Sequence, residues 1–194
     1  AGSPYTCTGP VGVISGVTLT IEPGASVNLA EYYLQINGTL NAVGTSNDKI
    51  VTNGGQGIMG SILFNRLSVS WNEETGKGSI LQNAIINSKI GIGDTAPKID
   101  SCQINGAIMT GDSDGGIASI PGIPLRGSSP IITNNIIMES SYSTVMQIST
   151  SPIIKNNTIK GLIQTHGGSS FIRGNTIEGA ISAFGSEYIA DNNI

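Results

Sequence analysis

Few residues in this chain have the types and the spacing that metal binding requires. Asp112 and Asp114 form an Asp-x-Asp pair in the glycine-rich segment TGDSDGG, and two carboxylates at this spacing could bind Ca²⁺. A solvated loop is the alternative, since no further acidic residues follow at the fixed spacings of a calcium-binding loop. The sequence therefore predicts no cofactor and leaves Asp112 and Asp114 as weak candidates for metal ligands.

Catalytic groups are equally sparse. The single histidine, His166, precedes Arg173 by seven residues and could provide an acid–base group beside a cation, although a turn histidine is the simpler interpretation. Trp71, which precedes Glu73 and Glu74 in WNEETGKG, could stack on a sugar or pack at the rim of the fold. Because no nucleophile lies convincingly beside a base, we expect that the protein is not an enzyme.

The cysteines and two asparagines are candidates for covalent modification. Cys7 and Cys102 are too few for a disulfide framework and lack zinc-site spacing. They are either buried thiols or disulfide partners, with each other or, for Cys7, with a neighbouring subunit. Asn37 and Asn156 begin Asn-x-Thr sequences, which accept N-glycans in secreted proteins. A turn amide is the competing interpretation for Asn156.

Composition excludes several classes of protein. Only 11% of the 194 residues are charged and the net charge is −4, so there is no basic surface for nucleic acid. No apolar run approaches the length of a membrane span. The 27 glycines, together with abundant Ile, Val, Thr and Asn, favour strands and tight turns over helices. We expect an all-β protein.

An internal repeat organises most of the chain. Its six-residue frame is Ile-x-x-Asn-x-Ile, and it begins at Ile80, Ile99, Ile132, Ile154, Ile172 and Ile189, with Cys102 in place of the asparagine in the second copy. The period of about 20 residues is typical of a solenoid. One longer interval indicates an inserted loop at about 109–129. We predict one domain over 1–194, with irregular coils at 1–78 and regular coils at 79–194.

Short strands and corner asparagines at this period predict a parallel β-helix with coils of about 17–22 residues. Stacked strands would align the isoleucines into core columns, and an asparagine at each corner could donate to one neighbouring coil while accepting from the other. Solvated turn asparagines are the alternative. The predicted internal ladder consists of Asn83, Asn135, Asn157, Asn175 and Asn192.

The segment from Gly16 to Val51 resembles the opening coils of right-handed parallel β-helix proteins of the pectate-lyase-like superfamily. The resemblance is carried by GVTLTIEPG at 16–24, by INGTLNAVGT at 36–45 and by Ile50 and Thr52. It implies a right-handed coil and a secreted or surface protein of archaea or bacteria. Polysaccharide lyases and hydrolases share this fold, but the Asn-Thr-Asp and Asp-Asp motifs of polygalacturonases are absent here.

The ends of the repeat suggest a function. The frame at Ile189–Ile194 is a regular coil with no evident C-terminal cap, and uncapped strand edges pair with other chains. By resemblance, we expect a self-assembling structural protein, such as the sheath protein of methanogenic archaea, which stacks head to tail outside the cell. The expected partners are other copies of the same protein and glycans. A carbohydrate-binding or adhesive domain is the alternative, a polysaccharide lyase or hydrolase is less favoured, and an antifreeze surface is least favoured.

Overall fold

The computed structural model describes residues 3–55, 60–110, 129–138, 144–148, 150–166, 168–184 and 188–194. All regular secondary structure in these residues is β-strand. The strands are Tyr5–Thr6 (β1), Val11–Val13 (β2), Thr18–Ile21 (β3), Ser26–Ala30 (β4), Leu34–Ile36 (β5), Thr39–Val43 (β6), Ile50–Gly54 (β7), Ile62–Phe64 (β8), Ile80–Gln82 (β9), Ala84–Asn87 (β10), Ile90–Ile92 (β11), Lys98–Asp100 (β12), Gln103–Ile104 (β13), Ile108–Thr110 (β14), Ile131–Thr133 (β15), Ile136–Met138 (β16), Thr144–Ile148 (β17), Ile153–Lys155 (β18), Thr158–His166 (β19), Phe171–Arg173 (β20), Thr176–Phe184 (β21) and Tyr188–Ala190 (β22).

The strands form three parallel stacks, and each turn of the chain adds one strand to each stack. The first stack runs β1, β4, β7, β10, β13, β16, and the second runs β2, β5, β8, β11, β14, β17. Both end in the long strands β19 and β21, which pass through the corner and join the two stacks into one 14-stranded sheet. The third stack is the 8-stranded sheet β3, β6, β9, β12, β15, β18, β20, β22. This topology confirms the predicted single-domain parallel β-solenoid.

Register brings one residue of every turn to the same core position. We call these sets the first, second and third core columns. The first contains Tyr5, Val27, Thr52, Ile86, Ile104, Ile137, Ile159 and Ile177, and Ile194 continues it. The second contains Val13, Ile36, Phe64, Ile92, Thr110, Ile148, Thr165 and Ala183. The third contains Ile21, Ala42, Leu81, Ile99, Ile132, Ile154, Ile172 and Ile189.

A left-handed backbone residue turns the chain from the third stack into the first. The residues with positive φ at this corner are Asn83, Ser101, Asn134, Asn156, Gly174 and Asp191. Asn, Asp and Gly adopt this conformation at the lowest cost, so the sequence marks the corner in most turns. The strands before residue 79 join the same stacks as the later strands, while the predicted insertion beyond Thr110 falls largely on residues outside the described ranges.

Candidate functional site: polar ladders and open ends

The buried corner carries a continuous ladder of asparagine side chains. The Nδ2 atoms of Asn135, Asn157 and Asn175 each donate to the Oδ1 of the next ladder asparagine, over 3.0, 3.0 and 2.9 Å. The backbone N–H groups of the same three residues donate to the same oxygens. Asn192 is the last member of the ladder.

Each ladder amide also satisfies a corner carbonyl on the preceding turn. The Nδ2 atoms of Asn135, Asn157, Asn175 and Asn192 donate to the carbonyls of Ile99, Ile132, Ile154 and Ile172 over 2.9–3.1 Å. A buried carbonyl without a partner costs about 1–3 kcal/mol. The ladder therefore stabilises the turns and also fixes their register, because a slipped turn would lose both sets of bonds.

Asn83 does not belong to this ladder, contrary to the sequence prediction. Strand pairing aligns Ile99 with Leu81 rather than with Ile80, which shifts the frame by one residue. Asn83 is consequently the left-handed corner residue, and its Nδ2 donates to the carbonyl of Gly44. The buried Ala84 takes the ladder position. In the segment ILQNAII, Ile80 and Ile85 fit the predicted frame, while Leu81 and Ile86 fit the frame that starts one residue later. The repeat pattern alone therefore could not distinguish the two frames.

Cys102 occupies the ladder position above Asn135, and its N–H donates to Asn135 Oδ1. Burial raises the pKa of its thiol to about 12, and its sulfur lies 3.3 Å from the carbonyl of Asp100. Cys7 follows β1, and four strand spacings of roughly 4.8 Å, about 19 Å in total, separate it from Cys102 along the first stack. A disulfide needs Cα atoms within about 7 Å. Both thiols are free, and a Cys7–Cys102 bond within one chain is excluded.

Asp100 is the centre of a polar cluster that the sequence analysis missed. Its carboxylate accepts hydrogen bonds from Gln82, Ser101, Thr133 and Asn134 at 2.7–3.2 Å. Burial alone would raise the pKa of Asp100, but these donors outweigh it and lower the pKa. Three of the four donors come from the turns on either side, so no local sequence motif indicates the cluster.

A second, outer asparagine column was also missed. Asn105 Nδ2 donates to Asn87 Oδ1 over 2.6 Å, and Asn87 Nδ2 donates to Asn53 Oδ1 over 2.8 Å. The three residues lie at the C-terminal ends of strands of the first stack: Asn53 within β7, Asn87 as the last residue of β10, and Asn105 directly after β13. An asparagine followed by Gly or Ser in the segments TNGG, INSK and INGA was the available signal.

The other predicted site residues are dispersed. Asp112 and Asp114 lie outside the described residues. The backbone of His166 ends β19 in the second stack, whereas Arg173 lies in the third stack and pairs with Asp191 over 2.8 Å. Among the described residues, no group of three or more His, Cys, Asp or Glu side chains could hold a metal ion.

The two candidate glycosylation sites differ in exposure. Asn156 is an exposed corner residue beside the buried ladder residue Asn157. Asn37 is partly buried, and its N–H donates to the carbonyl of Val13 on the preceding turn. Their modification remains a prediction, and exposure favours Asn156 as the acceptor.

Trp71 borders a groove on the outer face of the third stack. Lys98 Nζ lies 5.3 Å from the centroid of the Trp71 ring and forms an ion pair with Glu73 over 2.9 Å. This hydrogen bond from Lys98 lowers the pKa of Glu73. The groove has a volume of about 530 Å³, and its lining mixes hydroxyl and amide side chains, among them Thr39, Asn41 and Gln82, with the apolar side chains of Val43, Val69 and Ile80.

The core columns become exposed to solvent at the C-terminal end of the described solenoid. In the third column Ile172 is fully buried, whereas its neighbour Ile189 is 42% exposed. In the first column Ile177 is 2% exposed and Ile194 is 70% exposed. Tyr188 stacks on Phe171, with ring centroids 5.0 Å apart, but is itself exposed. Within the described residues no strand covers this end.

The N-terminal end is open in the same way. Tyr5 and Val11 occupy core positions on the first turn and are 48% and 37% exposed. An apolar cavity of about 330 Å³ lies behind them, bordered by side chains of the first two turns that include Cys7, Leu19 and Leu34. Each end of the described solenoid therefore presents apolar side chains of the core together with strand edges that no other described strand pairs.

Comparison with known proteins does not assign the chain to a family. It matches no protein-family model, no curated protein and no solved structure. The described part of the chain also has no helix that is long and apolar enough to span a membrane. The function of the chain therefore has to be inferred from the geometry of the molecule itself.

Proposed function

We propose that this chain is a structural protein of the cell surface whose solenoid stacks end to end on copies of itself. The product would be a ring, tube or fibril that contributes to an extracellular sheath or layer. The observation that carries this proposal is the abrupt exposure of core columns at both ends. Isoleucines of the third and first core columns are buried on successive turns, whereas the last members of these columns, Ile189 and Ile194, are exposed.

The distribution of exposed apolar side chains supports the same surfaces. Twelve large hydrophobic side chains are exposed among the described residues, and eight of them belong to the first or last turn. These eight are Tyr5, Val11, Ile14, Val17, Phe184, Tyr188, Ile189 and Ile194. Exposed apolar groups that cluster beside free strand edges are typical of association sites.

The hydrogen-bond pattern supports a second copy as the occupant of each end. Asn192 Oδ1 accepts from Asn175, as each ladder residue accepts from the one before it, and within the described residues no further turn accepts the Asn192 N–H. A strand of this same architecture would satisfy the edge and cover the isoleucines at once. Two copies joined in this way would gain apolar burial at about 25 cal/mol per Å² in addition to strand pairing.

Electron microscopy and sedimentation velocity of the 194-residue chain test the proposal. We expect regular rings, tubes or fibrils with a repeat of about 4.8 Å along the solenoid axis. Ile189→Lys should prevent assembly, because it places a charge in the contact. Ile153→Lys is the matched control, since Ile153 is 41% exposed on the outer face of the same stack. A wild-type chain that stays monomeric at high concentration would refute the proposal.

Carbohydrate binding in the groove beside Trp71 is a second candidate function. Hydroxyl and amide side chains in the lining and an aromatic ring at the border favour a saccharide ligand. Trp71 is the only tryptophan, so its fluorescence reports on the groove directly. Acidic and neutral oligosaccharides should change this fluorescence in the wild type and less in Gln82→Ala, and an unchanged signal with every sugar would exclude this function.

A further inference from the structure

The three core columns do not have the same number of members. The second and third columns each have eight, whereas the first has nine because Ile194 follows Ile177. Among the described residues, Tyr5 and Ile194 are thus the first and last members of a column that spans eight complete turns. A second copy that continues all three stacks would bring Val13 beyond Ala183 and Ile21 beyond Ile189. One position would then remain in the first column, with Tyr5 and Ile194 competing for it.

We propose that the C-terminal segment Asn192–Ile194 of one copy displaces the first strand, β1, of the next copy and pairs with β4 in its place. This inference rests on the proposed end-to-end stacking and adds a strand exchange to it. Ile194 would take the position of Tyr5 beside Val27 of the next copy, and Asn192 would take the position of Ser3. The exchange allows all three stacks to continue without a gap.

The C-terminal segment is well suited to this position. Asn192 Oδ1 accepts two hydrogen bonds from Asn175, and Asn192 Nδ2 donates to the carbonyl of Ile172. The N–H of Asn193 donates to Asn175 and its carbonyl accepts from Ile177, at 2.9 and 2.7 Å. Five of the first-column positions before Ile194 already hold isoleucine: Ile86, Ile104, Ile137, Ile159 and Ile177.

The first strand is held less well. β1 has two residues, both exposed, and the apolar cavity borders it on the inside. Its neighbouring contacts to β4 include one side-chain bond, from the Ser26 N–H to Ser3 Oγ. Replacement of a short edge strand by a segment of another chain is an established mode of association, and here the incoming isoleucine would also contact the walls of the cavity.

Disulfide trapping distinguishes the exchange from simpler stacking. In a Cys7→Ser background, Val27→Cys with Ile194→Cys should form a bond between chains in assembled material, because neighbouring positions of a stack lie about 4.8 Å apart. Tyr5→Cys with Val27→Cys, oxidised as the monomer, should tie β1 to β4 and block assembly until dithiothreitol reduces the bond. Assembly of this variant with its 5–27 bond closed, together with no 27–194 bond in the other variant, would overturn the exchange while leaving the stacking intact.

Deletion of residues 1–6 provides a second measurement that does not depend on cysteine chemistry. The exchange predicts that the shortened chain assembles at least as fast as the full chain, because no strand has to be displaced. Removal of Asn193 and Ile194 should instead slow assembly at least tenfold. The opposite order of rates would overturn the exchange, and the absence of assembly by every chain, wild type included, would overturn the stacking as well.

Discussion

At the scale of single residues, asparagine side chains occupy buried positions that apolar side chains usually fill in a core. Asn135, Asn157 and Asn175 are almost fully buried, and each of them has partners on both neighbouring turns. A buried polar network of this kind is favourable only when it is complete. Loss of one ladder asparagine therefore leaves hydrogen-bonding groups without partners on both neighbouring turns.

Substitution of the central ladder residue should be strongly destabilising. Asn157→Ala removes the acceptor for the Asn135 N–H and the donor to the Ile132 carbonyl, so we expect a loss of roughly 2–5 kcal/mol. Urea denaturation of the monomeric fraction measures this loss. Asn156→Gly is the control, because Asn156 is exposed and has a positive φ that glycine accepts. Equal midpoints for the two variants would show that the ladder does not stabilise the fold.

The carboxylate of Asp100 should make stability depend on pH in the acid range. Its pKa is lowered in the folded chain, so its contribution is complete above the unfolded-state pKa of about 4 and is lost as the pH falls through the lower folded-state value. Asp100→Asn should cost about 1–3 kcal/mol at neutral pH and weaken this acid dependence. Denaturation curves at several pH values measure both effects.

Asp191→Asn is the matched control for Asp100. Asp191 pairs with Arg173, but both side chains are largely exposed, and exposed ion pairs contribute about 0–1 kcal/mol. We expect little change in stability and an acid dependence like that of the wild type. If both variants behaved alike, the four hydrogen bonds to Asp100 would not be the source of the effect.

At the scale of elements, close approach of two backbones at one corner limits which residues can occupy the middle of the long strands β19 and β21. Gly161 and Gly179 are neighbours where β19 and β21 pass from the first stack to the second. A Cβ on Gly179 would lie 2.1 Å from the carbonyl oxygen of Gly161. The long strands that join the two stacks therefore depend on glycine at this corner.

Gly179→Ala should loosen the last turn. The backbone has to shift to relieve the contact, and we expect a cost of about 1–3 kcal/mol, as for other overpacked sites. Hydrogen exchange should show faster exchange in residues 180–184 than in the third stack. Gly12→Ala is the control, since a Cβ on Gly12 meets no atom within 4 Å. Unchanged protection of residues 180–184 would contradict the prediction.

The repeat could be predicted from the sequence where the spacing between turns is short. Ile154, Ile172 and Ile189 are 18 and 17 residues apart and do stack, because nearly constant spacing aligns the frames. The first turns could not be counted in this way, since loops of varying length separate their strands. Ile36 and Phe64, for example, pair in the second stack, but neither lies in a copy of the six-residue frame.

At the scale of the whole molecule, a solenoid stabilises each turn through its two neighbours. The end turns have only one neighbour, so they lack half of the burial and pairing that interior turns have. Stacking of copies would supply the missing half. Stability and assembly should therefore be linked.

The thermal midpoint should rise with protein concentration. Association that favours the folded state stabilises it by mass action, so we expect a higher midpoint at higher concentration for the wild type and for Ile153→Lys. Ile189→Lys should melt at one temperature across the same range. Differential scanning fluorimetry over a hundredfold range of concentration measures this, and a concentration-independent wild type would contradict the link.

The parallel direction of every strand has a consequence for symmetry. The ladder amides pass their hydrogen bonds in one sense along the axis, from Asn135 to Asn192, so the two ends of the molecule are chemically different. A twofold-symmetric dimer would place identical ends against each other with their strands antiparallel, and neither the ladder nor the columns could continue across it. Growth by continuation is consequently vectorial, with the ladder residue Asn192 at one extremity and the short strand β1 at the other. Any filament built in this way has a plus end and a minus end.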